Sequence, residues 1–191
     1  MKSSKIRTEV SAHKSMHTFA YLRSVSRECL ERSKEQEAGS KLMICASMTF
    51  SAFTVEAFLN HLGANSTTFW SSVEHKLSPL DKLEVLARLF ALTPDFGRRP
   101  FQTLRQMFRF RDALAHGKTE TVIKDSIQFL SEGEKPQMPA TTWENEMTIE
   151  NAQIYFEDTR AIWLILAKKI GIDEYLLAIP DEHGYVARKS L

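Results

Sequence analysis

The sequence predicts an all-α protein, an antiparallel bundle of about five helices with a long loop between the last two. Three observations carry this reading. Apolar residues recur every three or four positions over long stretches, the period of a helix face. Glycine and proline number only seven and six in 191 residues, and they fall between those stretches as helix punctuation. One short run alone, residues 119–123, has β-like character.

Residues 11–37 form the first predicted helix, with Phe19, Leu22, Val25 and Cys29 at helical spacing and Gly39 as its stop. The second starts at Ser40, a good N-cap, and ends at Gly63. It is apolar nearly all round, which marks it as the central helix. A loop follows, with a short turn carrying Phe69 and Trp70. Ser78-Pro79-Leu80-Asp81 reads as a helix start, with the cap at Ser78 and proline at the first helical position. That third helix carries Leu80, Leu83, Leu86, Leu89 and Phe90 and stops before Pro94. Arg99-Pro100 opens the fourth, which runs to Ala115 with Gly117 just beyond. Residues 118–147 hold Gly133, Pro136 and Pro139 and read as a long loop with room for a small hairpin. Loops of this length are more often functional or mobile than incidental. The fifth helix covers residues 149–170 and ends at Gly171. Residues 173–179 could add a short helix. The predicted organisation is therefore an arm (1–10), one helical domain (11–172) and a tail (173–191).

A chain of this length buries roughly 70% of its unfolded surface and needs no disulfide or metal to fold. Lysine plus arginine is 25 and aspartate plus glutamate 24, a balance that argues against a broad nucleic-acid-coating surface. Cys29 and Cys45 lack ligand-like spacing and read as buried free thiols on helices in a reducing compartment. Residues 1–10 lack the apolar run of a signal peptide. The apolar stretch 42–62 is broken by Ser47, Thr49, Ser51, Thr54, Glu56 and Asn60, so it reads as a core helix rather than a membrane span. A cytoplasmic location without membrane partners is expected. His13 and His17 lack the carboxylate of a zinc-protease pattern, and no phosphate-cradling glycine loop or nucleophile elbow occurs. No cofactor or metal is expected. Trp70, Trp143 and Trp163 read as core or interface anchors.

Two charges stand in apolar surroundings. In the fourth helix, Gln102, Arg105, Arg109, Asp112 and His116 gather on one side, while Arg111 falls among the apolar residues of the other. In the second helix, Glu56 is the one acidic or basic residue, histidine aside, between Lys41 and Glu74. A buried charge needs a partner. Glu56 and Arg111 are therefore expected to approach each other, with Asn60 nearby on the Glu56 face. A structural ion pair fits these residues as well as a functional one.

The run Phe110-Arg111-Asp112-Ala113-Leu114-Ala115-His116-Gly117, near the end of a helix, resembles the signature of the HEPN domains. That signature is an arginine, a polar residue, then a histidine a few positions on. The run Ala52-Phe53-Thr54-Val55-Glu56-Ala57-Phe58-Leu59-Asn60 resembles the helix that precedes it in such domains. The resemblance covers residues 11–117 and extends to the fifth helix, but not to the loop or the tail.

The resemblance implies a HEPN-like bundle that pairs as a homodimer, so that two motifs line one cleft. It implies a metal-independent endoribonuclease, of the kind found among toxins and antiviral effectors, with an antitoxin protein as partner where the member is a toxin. Arg111 and His116 would be catalytic, with Asp112, Glu56 and Asn60 in support. The chemistry is coherent. The ribose 2′-hydroxyl attacks the adjacent phosphorus, a group near neutral pKa moves a proton, and a fixed cation steadies the phosphorane. Histidine suits the first task and the planar guanidinium the second. Asp112, four residues before His116, is placed to orient the imidazole. Arg105 and Arg109 are placed to hold RNA phosphates, or to be a solvated face. Five helical steps set Arg111 and His116 about 140° apart around the axis, so a second copy would help bring such groups together. Other family members are non-catalytic protein-interaction or nucleotide-binding modules, and that is the alternative function.

Overall fold

A computed structural model describes residues 8–35, 37–173 and 178–189. The order is β1 (Thr8–Met16), α1 (Thr18–Glu35), α2 (Ser40–Ser66), α3 (Trp70–Val73), α4 (Pro79–Leu89), α5 (Phe101–Ala115), α6 (Thr142–Glu146), α7 (Ile149–Ile170) and β2 (Asp181–Lys189). The protein is mostly helical, but not wholly so. β1 and β2 pair antiparallel, Thr8 opposite Lys189 and Met16 opposite Asp181.

That ribbon corrects two expectations. Residues 11–16 are strand, and the first helix begins at Thr18. Residues 181–189, read as a tail, are the other strand. Each segment is too polar to advertise a strand alone, and its pairing partner lies more than 160 positions away. The short helix suggested for residues 173–179 falls mostly outside the described residues.

α2 is the centre, packed against α1, α4, α5 and α7. It is long and apolar enough to cross a bilayer by composition, yet half of that stretch is buried against its neighbours. Its core side chains include Met48, Val55, Phe58, Leu59 and Leu62. α1 runs antiparallel to it. Ser40 reaches the Ser33 carbonyl at one end (2.9 Å), and Phe19 meets Phe58 at the other (5.2 Å). Between them Ser26 bonds Ser51 (2.8 Å) and the Ser47 carbonyl (3.0 Å). These small hydroxyls let two backbones approach while staying satisfied. α7 also lies antiparallel to α1, with Lys34 near Gln153 and Phe19 against Trp163. α2 and α7 therefore run in the same direction. α5 crosses back along α7, with Thr103 bonded to Asp158 and Phe110 beside Tyr155.

Helix ends follow local chemistry. Ser78 and Asp81 close a capping box at α4, behind Pro79. Thr141 and Glu144 do the same for α6, inside the segment read as loop. Gly171 takes a left-handed conformation (φ 70°) to end α7. Gly63 does not end α2, which continues to Ser66. Its hydrogen faces Trp70, and a Cβ there would fall 2.0 Å from the indole. The glycine marks a close approach rather than a stop. In residues 118–138 the chain is exposed and irregular, folded back where the Gln128 side chain bonds both the carbonyl (3.0 Å) and the N–H (2.7 Å) of Gln137.

Candidate functional site

Three helices converge on Glu56. It sits midway along α2, on the side facing α4 and α5. Arg111 of α5 places Nη2 3.4 Å from Glu56 Oε2. Lys82 of α4 donates to Glu56 Oε1 at 2.9 Å. The carboxylate is thus shared by two cations, one per oxygen. Arg111 is 17% and Lys82 5% exposed by side chain, so both charges are largely withdrawn from water. Burial on this scale is tolerable only because opposite charges meet there.

Arg111 has a second anion. Its Nε lies 3.0 Å from Asp112 Oδ1, but the N–H does not point along that line and makes no hydrogen bond. The link is coulombic. The rings of Phe108 (5.7 Å) and Phe53 (6.0 Å) flank the guanidinium and complete its slot. Asn60, one turn beyond Glu56, is half-buried, and its Oδ1 has no hydrogen-bond donor.

His116 is the C-cap of α5, its N–H donating to the Asp112 carbonyl at 2.9 Å. The imidazole is exposed. The expected support from Asp112 is not made: that carboxylate turns to Arg111, and the imidazole has no hydrogen bond with it. Gln102, Arg105, Arg109, Asp112 and His116 form the exposed stripe of α5 that their spacing predicts. Arg105 does not extend freely from it. Its guanidinium lies 5.0 Å from the Phe96 ring and borders a pocket of about 300 Å³ with Leu80, Arg88 and Leu92. Arg109 sits near Tyr155, whose phenol is kept protonated mainly by burial, then by Glu146.

Sequence reasoning brought Glu56 and Arg111 together but missed Lys82. Its signal was present: Lys82 falls one turn before Leu86, on the packed face of α4. A second buried carboxylate was also missed. Asp158 is 4% exposed and takes Arg99 through Nε (2.9 Å) and Nη2 (2.9 Å), with the Thr103 hydroxyl bonded to the same group. Its position between Tyr155 and Ile162 on the apolar face of α7 was the available clue. Both groups tie helices together. Among the described residues no cluster of three or more His, Cys, Asp or Glu side chains is arranged to hold a metal ion.

The chain shows no significant match to any family model, to curated proteins or to solved structures.

Proposed function

We propose that this chain is a HEPN-type endoribonuclease acting as a homodimer. The carrying observation is the disposition of the two motif residues. Arg111 is held in a slot between Glu56, Asp112 and two phenylalanine rings, while His116 stands exposed at the end of the same helix. A fixed guanidinium and an exposed imidazole are the parts that cleavage by an internal 2′-hydroxyl requires. The hydroxyl loses its proton as oxygen attacks phosphorus, and the 5′-oxygen leaves with a proton. The products are a 2′,3′-cyclic phosphate and a 5′-hydroxyl. His116 moves a proton and Arg111 steadies the phosphorane. Because the two residues diverge around the helix, a second copy supplies the facing motif. In members of this kind that are toxins an antitoxin protein is the further partner, and the cytoplasm is the setting.

The test is RNA cleavage by purified protein in EDTA, wild type against His116→Ala, with folding checked by circular dichroism. Loss of a general acid or base slows such reactions by ~10²–10⁴-fold. Cyclic-phosphate ends from wild type, and a folded variant slower by that factor, support the reading. Equal cutting by both removes His116 from the mechanism.

One observation favours a second reading. Arg111 already meets two carboxylates and is mostly covered, as a structural residue would be. In that case the chain is a non-catalytic module that binds a protein or a nucleotide, and no RNA in a broad panel is cut.

A further inference from the structure

The β1–β2 ribbon is the least supported element of the molecule. All nine β1 residues are exposed, and no described β2 side chain is buried. Val10, Tyr185 and Val186 are 60%, 73% and 60% exposed. The sheet has two strands, and among the described residues no third strand covers either edge. A two-stranded ribbon is marginal in water unless a further strand or a helix face supports it. An open edge also presents a row of unpaired N–H and C=O groups.

We propose that the outer edge of β2 docks a second copy of this chain, β2 against β2, antiparallel about a two-fold axis at Tyr185. The argument is charge complementarity along the strand. β2 reads Asp-Glu-His-Gly-Tyr-Val-Ala-Arg-Lys, two acids at its start and two bases at its end. Laid antiparallel on itself about Tyr185, it sets position 181 opposite 189 and position 182 opposite 188. An acidic position then lies opposite a basic one at both ends of the strand, in each copy. Opposite-charge and aromatic cross-strand pairs each stabilise a sheet, and Tyr185 would face its own copy at the centre. The same operation on β1, about Ala12, sets Glu9 against Ser15 and Lys14 against Val10, with no such match. The choice of edge follows.

Contacts within the ribbon do not block this. Asp181 holds Lys14 at 2.8 Å, and Glu182 lies 3.9 Å from His17. A carboxylate accepts from more than one donor. The pairing is isologous, so this edge is satisfied by one further copy, apart from the motif-to-motif contact of the nuclease reading. It yields a four-stranded sheet whose outer strands are both β1. This dimer does not rest on the nuclease reading, and RNA cleavage is scored separately from mass.

The experiment is sedimentation velocity of the full chain across the micromolar range. Wild type should show a concentration-dependent dimer that weakens with salt. Asp181→Lys with Glu182→Lys makes the strand all basic at its ends, and Arg188→Glu with Lys189→Glu makes it all acidic. Each double variant alone should weaken the dimer at least about tenfold. An equimolar mixture should restore it. Circular dichroism confirms that the helices persist. Tyr185→Cys gives a second measure that leaves the charges intact. It should form a disulfide-linked dimer under mild oxidation, where Val10→Cys and wild type do not. A monomer at every concentration overturns the proposal. So do charge variants that dimerise as wild type does, or a mixture that stays monomeric.

Discussion

At the residue scale, the molecule turns on one carboxylate, Glu56, that answers two cations. Removing Glu56 strands Lys82 and Arg111 together, and breaking a buried pair costs ~3–5 kcal/mol. Glu56→Ala should therefore lower the unfolding free energy by about 3 kcal/mol, measured by urea denaturation. Lys82→Met keeps the stem and leaves Arg111 to neutralise Glu56, and should cost less than half as much. His61 gives a pH signature. Burial, and then the nearby His17, hold its pKa below the usual imidazole value. As pH falls through about 6.5, the unfolded chain takes the proton before the folded one does. Stability present above that value is thus lost as pH falls toward the depressed folded pKa. Melting temperature should drop between about pH 7.5 and about pH 5.5, and His61→Gln should drop less. An equal fall in both proteins would move the effect to other groups.

At the element scale, the close approach of α2 and α3 is set by Gly63. Gly63→Ala would drive a methyl into Trp70, and overpacking of this kind costs typically ~1–3 kcal/mol. The loss should show in thermal unfolding, although alanine raises helix propensity. A more stable variant would mean that the indole moves aside. The same glycine shows where sequence reading runs out. A helix stop and a helix contact use the same residue, and only the position of Trp70 separates them. The five long helices α1, α2, α4, α5 and α7 were legible, because each carries apolar residues at helical spacing and most carry an end signal such as Ser78-Pro79 or Gly171, whereas α6, with no buried residue, was read as loop. The Glu56–Arg111 meeting was legible because each charge was conspicuous on an apolar helix. Lys82 and Asp158 were not conspicuous, since α4 and α7 are rich in charge and one more does not stand out. The ribbon was hidden for a different reason: strand pairing across nearly the whole chain leaves no local period.

At the scale of the whole molecule, a tightly packed bundle carries two appendages, the ribbon and the segment between α5 and α6. In that segment Ile123, Ile127 and Phe129 are 85%, 91% and 97% exposed, so little packing opposes its opening. Limited trypsin digestion should make its first cut between α5 and α7 there, after Lys118 or Lys124, leaving the helical circular dichroism signal intact. A first cut between α5 and α7 that falls inside either helix would place the weak point in the bundle itself.

The two-cation arrangement at Glu56 also bears on how Arg111 can move. An arginine that is the sole partner of a buried acid cannot swing toward a phosphate without abandoning a naked charge behind it. Here Lys82 remains on the other oxygen of the same carboxylate, and Asp112 lies toward solvent. Were Arg111 displaced, Glu56 would still be neutralised by Lys82. The bundle's hold on Glu56 is thereby independent of Arg111, which a single ion pair would not allow.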